Sequence, residues 1–349
     1  MSAVETPLLE VDDLAVEFHT RDSVIVAVDG LSYTVTAGRT LAIVGESGCG
    51  KSVSSLAVMG LLGPTARVTR GAIRFRGTDL LKLPPKERRG HAGQHVAMVF
   101  QDALAALNPV HSVGYQLTEA LRVRSGIGRG DARRKAIELL DLVKVPKAAD
   151  RIRDYPHQFS GGMRQRVMIA AALAMDPDVL IADEPTTALD VTVQAQILRL
   201  LAEIQAERQM GLVLITHDLG VVATVADDVT VMYAGHAVEQ ATVQEVFAAP
   251  AHPYTRALLR SVPRLAIEGE LTSETAHRLT VIPGRPPRPS EVPVGCPFHP
   301  RCDAVLDICR TITPPLIDLP GGRCSRCHIA AEILEAGLQS AVVPGAADD

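Results

Sequence analysis

The segment Gly45-Glu-Ser-Gly-Cys-Gly-Lys-Ser52 narrows most sharply what this chain can fold into. It stands between an apolar run at 41–44 that reads as a buried strand and a helical pattern at 52–62. Glycine permits the backbone angles that turn successive N–H groups inward, and a helix N-terminus adds its positive end. The segment is therefore built to cradle a polyphosphate. In that reading Gly45, Glu46, Ser47, Gly48, Cys49 and Gly50 wrap the phosphates, with Cys49 a small filler at a variable position. Lys51 reaches the β- and γ-phosphates and Ser52 ligates Mg²⁺.

A strand, phosphate loop and helix in succession call for a parallel sheet with helical crossovers, and the sequence supplies the rest of it. Further apolar runs at 96–100, 179–182, 212–216 and 229–233 read as buried strands, and helical patterns occupy 132–143, 162–175, 191–208 and 219–227. Glycine, proline and charge at 70–93 and 126–130 read as surface insertions. The chain has 349 residues, 47% hydrophobic and 21% charged, which excludes a disordered or fibrous class. A net charge of −5 argues against a general nucleic-acid binder. No apolar run is long enough to span a bilayer, and residues 1–13 lack a basic segment followed by an apolar one, so a cytoplasmic chain is expected. No internal repeat is visible.

The run Val179-Leu-Ile-Ala-Asp183-Glu184 ends a strand in two adjacent carboxylates, which strand alternation points in different directions. Two jobs follow: Asp183 holds the Mg²⁺ shell and Glu184 polarises the attacking water as general base. Phe159-Ser-Gly-Gly-Met-Arg-Gln-Arg166 places a serine and two glycines before a basic helix, a second anion site.

Together these three segments resemble the ATP-binding subunit of an ABC transporter over about residues 8–263. The resemblance implies a P-loop NTPase of the α/β class with a RecA-like parallel sheet, an antiparallel β subdomain and a helical signature subdomain. It also implies a head-to-tail dimer in which Ser160, Gly161 and Gly162 of one subunit close over the γ-phosphate held by the other. By the same resemblance Gln101 senses Mg²⁺ and the attacking water, Asp190 contacts the opposite subunit, His217 touches the γ-phosphate and orients Glu184, and Phe18 stacks on adenine. The family's usual leucine and glutamine around the signature are Phe159 and Met163 here. That variant, with Tyr155-Pro-His-Gln158, Leu107-Asn-Pro-Val110 and His252-Pro-Tyr-Thr-Arg-Ala-Leu-Leu259, resembles the branch that imports dipeptides, oligopeptides and nickel.

Past residue 263 the composition changes. The proline-rich stretch 282–290 reads as a linker or extended arm, and five of the six cysteines crowd behind it. Their spacing does not match the paired C-x₂-C of zinc ribbons. It resembles the C-terminal extension of peptide-importer ATPases, which implies a [4Fe–4S] cluster on Cys296, Cys302, Cys309 and Cys327, with Cys324 able to substitute for Cys327. Structural zinc and unmetallated thiols are the alternatives. A cluster would supply folding free energy to a tail without a core of its own. The expected organisation is a flexible N-terminus at 1–7, the ATP-binding domain at 8–263, the arm and cysteine extension at 264–329, and a short helix with a disordered tail at 330–349.

The function these features imply is an energy-coupling ATPase on the cytoplasmic face of the membrane. Its implied partners are two transmembrane permease subunits, a second homologous ATP-binding subunit and an extracytoplasmic substrate-binding protein, without nucleic acid. The rival readings are a soluble ATPase of the same type acting on ribosomes or DNA, and a regulatory subunit that binds ATP with little hydrolysis.

Overall fold

The computed structural model describes residues 6–21, 23–187, 189–261 and 281–341. Its strands are β1 (Leu9–His19), β2 (Val24–Val35), β3 (Thr40–Val44), β4 (Ala66–Phe75), β5 (Thr78–Asp79), β6 (Val96–Val99), β7 (Val179–Asp183), β8 (Gly211–Thr216), β9 (Asp228–Tyr233), β10 (His236–Thr242), β11 (Ile317–Leu319) and β12 (Arg323–Ser325). They form an antiparallel sheet ordered β2-β1-β4-β5 and a larger mixed sheet ordered β11-β12-β10-β9-β3-β8-β7-β6. The five strands expected from apolar runs are all present, and β6, β7, β8, β3 and β9 run parallel.

Strand alternation divides these residues between two cores. Val179, Ile181, Val213 and Ile215 face the antiparallel sheet and the helix Lys51–Met59. Leu180, Ala182, Leu212 and Leu214 face the helical layer that includes Val113–Ser125, Arg129–Leu142, Gly161–Ala172 and Val191–Arg208. Because β3 lies inside the sheet and is buried throughout, the loop that follows it springs from a strand paired on both sides.

The expectation that 70–93 is a surface insertion is corrected. Residues 70–75 belong to β4, where Ile73 and Phe75 are buried. The charges that obscured the strand point outward and pair across the sheet, Arg70 with Asp13 and Asp29, Arg74 with Glu10 and Asp12. The glycines at 126–130 mark the connection between two packed helices.

The cysteine-bearing segment is also more firmly built in than a coreless tail. Gly321 and Gly322 take φ values of 90° and 80°, the paired positive angles that favour a tight hairpin. The resulting β11–β12 hairpin extends the main sheet, with Glu239 opposite Ser325 and Gln240 opposite Cys324. Phe298 is buried against the rings of Tyr233, Tyr254 and His252. Behind the hairpin, Arg323 is ion-paired at 3.0 Å with the fully buried carboxylate of Glu239, which also accepts the backbone N–H groups of Ala251 and His252. The expected C-terminal helix is present at Ala330–Ala341. The expected boundary at 263–264, residues 1–5 of the N-terminus and residues 342–349 of the tail lie outside the described residues. Among the described residues no helix is long and apolar enough to cross a membrane.

Candidate nucleotide site and thiol pocket

The chain leaves β3 into a loop whose glycines carry its shape. Gly50 has φ 102°, and a Cβ there would stand 2.5 Å from the Ala27 carbonyl oxygen. Lys51 is buried, and its Nζ donates to the carbonyls of Gly45 and Glu46 at 2.7 and 3.0 Å, so the ammonium lies inside the curl of the loop. A cavity of about 770 Å³ opens over it, lined by Glu46, Ser47, Gly48, Gly50, Lys51 and Ser52. Phe18, Thr20, Ile25, Ala27 and Pro289, mostly apolar, also line it.

At the end of β7, Asp183 is buried and the next residue, Glu184, lines the cavity. The Ser52 hydroxyl donates to Asp183 Oδ1 at 3.0 Å, which sets two of the three expected Mg²⁺ ligands side by side. Burial pushes the Asp183 carboxyl up and the Glu184 charge adds to the shift, while the Ser52 hydrogen bond and the Lys51 charge oppose it. Glu184 sits at φ 44°, a left-handed angle that is strained for a residue with a Cβ. Three side chains hold it there. Gln101 Nε2 and Thr187 Oγ1 donate to Oε2 at 2.8 and 2.9 Å, and His217 Nδ1 lies 3.4 Å from Oε1. Gln101, Glu184 and His217 all line the cavity. Thr187 was not singled out from the sequence, although its place three residues after Glu184 was a usable signal.

Ser160, Gly161, Gly162 and Asp190 do not line this cavity. Ser160 caps the helix Gly161–Ala172 and is exposed, as is Asp190, which caps Val191–Arg208. A Cβ on Gly162 would come 2.5 Å from Val193, so that glycine lets the two helices close on each other. The two departures from the usual signature share one partner: the Arg151 guanidinium lies 4.4 Å over the Phe159 ring and donates to Met163 Sδ at 2.9 Å.

Cys296, Cys302, Cys309 and Cys327 line one small apolar cavity with His252, Phe298, His299 and His328. Burial pushes the thiols of Cys296 and Cys327 up to about 11 and about 12, and that of Cys302 up as well. Cys324 is turned elsewhere, its thiol donating to Asp318 Oδ1 at 3.3 Å. Among the described residues no three His, Cys, Asp or Glu side chains form a group that could hold a metal ion. The structure thus gathers four of the thiols, and the expected iron–sulfur site is not shown by it.

Comparison with known proteins agrees with this geometry. The ABC transporter family profile matches residues 28–187, and the profile of the oligopeptide/dipeptide transporter C-terminal region matches 238–309. The chain is 50% identical over 321 residues to the dipeptide transport ATP-binding protein DppD of Escherichia coli, covering 92% of this chain and 96% of the relative. It is 49% identical over 327 residues to the oligopeptide transport ATP-binding protein OppD of Salmonella typhimurium, covering 94% and 95%. Among solved structures it resembles cbiO1 of Clostridium perfringens, part of the transporter complex cbiONQ, with a TM-score of 0.61 at 29% identity, covering 70% of this chain and 92% of that one. The dimeric ATP-binding cassette MJ0796 shares the fold, with a TM-score of 0.61 at 24% identity over 67% of this chain and 98% of that one. The chain belongs to the ABC transporter ATP-binding family, in its dipeptide and oligopeptide importer group.

Proposed function

We propose that this chain is the ATP-hydrolysing, energy-coupling subunit of a peptide importer, working beneath two permease subunits on the cytoplasmic face of the membrane. A second, homologous ATP-binding subunit and an extracytoplasmic binding protein complete the assembly. The observation that carries the reading is the Glu184 carboxylate, held by Gln101, Thr187 and His217 at the mouth of the cavity that Lys51 and Ser52 line.

In this reading the loop N–H groups and Lys51 bind the phosphates of ATP, and Phe18 covers the base. Ser52, Asp183 and Gln101 would hold Mg²⁺, which draws charge from the β- and γ-oxygens when bound. Glu184 accepts the proton of the attacking water, and His217 keeps the carboxylate turned toward it. Ser160 and Gly161 are exposed, and Gly162 is half-buried against Val193. They supply the partner's site with a helix N-terminus when the dimer closes. Asp190 stands on the same closing face. The test is ATP turnover by the complex purified from membranes, with and without binding protein loaded with dipeptide or longer peptide. Turnover that peptide-loaded binding protein fails to raise would overturn the peptide assignment.

We further propose that Cys296, Cys302, Cys309 and Cys327 hold a [4Fe–4S] cluster, which when bound ties the segment together through four thiolates. Four thiols around one apolar cavity support it. Iron and acid-labile sulfide measured on anaerobically purified protein decide the matter. A colourless preparation containing zinc or no metal removes the cluster.

A further inference from the structure

Glu46 occupies a position that the phosphate-loop pattern leaves free, and it places a carboxylate beside the site for a highly negative ligand. Left alone, that charge would repel the phosphates it adjoins. It is not left alone, because Arg301 donates from Nη1 to Oε2 at 2.6 Å and from Nη2 to Oε1 at 2.9 Å, a bidentate fork. The Arg301 side chain is only 5% exposed. Its Nε donates to the Pro283 carbonyl at 2.9 Å, and Nη1 also reaches the Tyr233 hydroxyl at 3.4 Å. The backbone N–H of Glu46 is held in turn by the Tyr254 hydroxyl at 3.0 Å. The pair joins residues 255 positions apart. Arg301 ends the single helical turn His299–Arg301, whose next residue, Cys302, lines the thiol pocket. The arm that precedes it contributes Pro289 to the nucleotide cavity.

We propose that Arg301 is a positioning residue of the nucleotide site: it neutralises the Glu46 carboxylate and fixes the phosphate loop in the shape that accepts ATP, making the cysteine-bearing segment a working part of that site. The proposal rests on the reading of residues 45–52 as the ATP site. It assigns Arg301 no contact with ATP, since the guanidinium is spent on Glu46 and the surrounding carbonyl and hydroxyl.

The experiment is a double-mutant cycle on the full chain, with the dissociation constant for ATP measured by calorimetry alongside thermal unfolding. Arg301→Met leaves Glu46 unpaired beside the phosphates and is expected to weaken ATP binding about tenfold. Glu46→Gln removes the repelling charge and should weaken it less. The double variant should recover most of the loss, because no uncompensated carboxylate remains. Arg301→Lys keeps the charge without the fork and should fall between wild type and Arg301→Met. If Arg301→Met does not fold, Arg301→Lys and Glu46→Gln carry the test by the same ordering. ATP affinity within twofold of wild type in the Arg301 variants overturns the proposal. So does a loss that persists undiminished in the double variant, which would make the pair only a latch that docks the segment. A wild-type chain that binds no ATP overturns the nucleotide site itself, and the proposal with it.

Discussion

Replacing Glu184 by glutamine isolates one proton transfer from the geometry around it. Both Gln101 and Thr187 donate to Oε2, so an amide oxygen at that position keeps both hydrogen bonds. The amide nitrogen then takes the place of Oε1, 3.4 Å from His217 Nδ1, and can donate to it when the imidazole carries its proton on Nε2. The variant therefore keeps its neighbours and its strained backbone, and loses the basic lone pair together with the charge that bears on Asp183. General-base catalysis is worth about 10²–10⁴ in rate, or roughly 3–5 kcal/mol of barrier. ATP affinity should hold, because Lys51 and the loop are untouched. The assay is ATP turnover in the assembled complex, with bound nucleotide quantified. Lys51→Ala measures what the second ATPase contributes, since it empties this site, and the difference from wild type is this site's share. Glu184→Gln should abolish that share while retaining nucleotide. Should the share survive at more than about a tenth of its wild-type value, Glu184 is not the base.

Gly50→Ala puts a methyl group 2.5 Å from the Ala27 carbonyl at φ 102°, so the loop must reshape. ATP binding should fall by at least about tenfold, and a titration at wild-type affinity would refute the cradle geometry. Arg151→Ala removes the contact shared by Phe159 and Met163. ATP-driven dimer closure, followed by light scattering of an Arg151→Ala, Glu184→Gln double variant, should weaken severalfold relative to Glu184→Gln alone, and unchanged closure would show that the signature needs no such support. Burial holds the His252 imidazole down at about 3, so the folded chain keeps it neutral while the unfolded chain protonates it near 6.5. Between those values the unfolded state binds more protons and stability falls as pH falls, by about 1.4 kcal/mol per unit once well below 6.5. His236 is lowered too, first by burial and then by Arg326. Urea unfolding from pH 7.5 to 5 should show a slope that His252→Asn flattens by one proton, and an unaltered slope would remove His252 as its source.

The phosphate loop, the paired carboxylates and the serine-glycine run were legible because each is a short local run. The glycines force the loop, and the apolar strand before it needs no partner to be recognised. What stayed hidden depends on contacts between distant positions. Residues 70–75 look like a charged insertion until Glu10, Asp12, Asp13 and Asp29 are seen across the sheet from Arg70 and Arg74. Tyr254 carries no local mark of the Glu46 N–H that it holds from 208 positions away. The cysteine-bearing segment shows the limit most clearly. Proline at 282–290 and irregular thiols describe a strip without regular structure, and from the strip alone a metal was the natural source of its order. Its β11–β12 hairpin instead borrows the open edge of β10, its Phe298 enters a core made of Tyr233 and Tyr254, and its Arg301 crosses to the phosphate loop. A segment anchored by a sheet edge, an aromatic core and a buried ion pair has sources of order besides its thiols. Chelating or oxidising the thiols should therefore loosen one side of this segment and leave the hairpin in place, a difference that hydrogen exchange at residues 323–325 measures against exchange at 296–309.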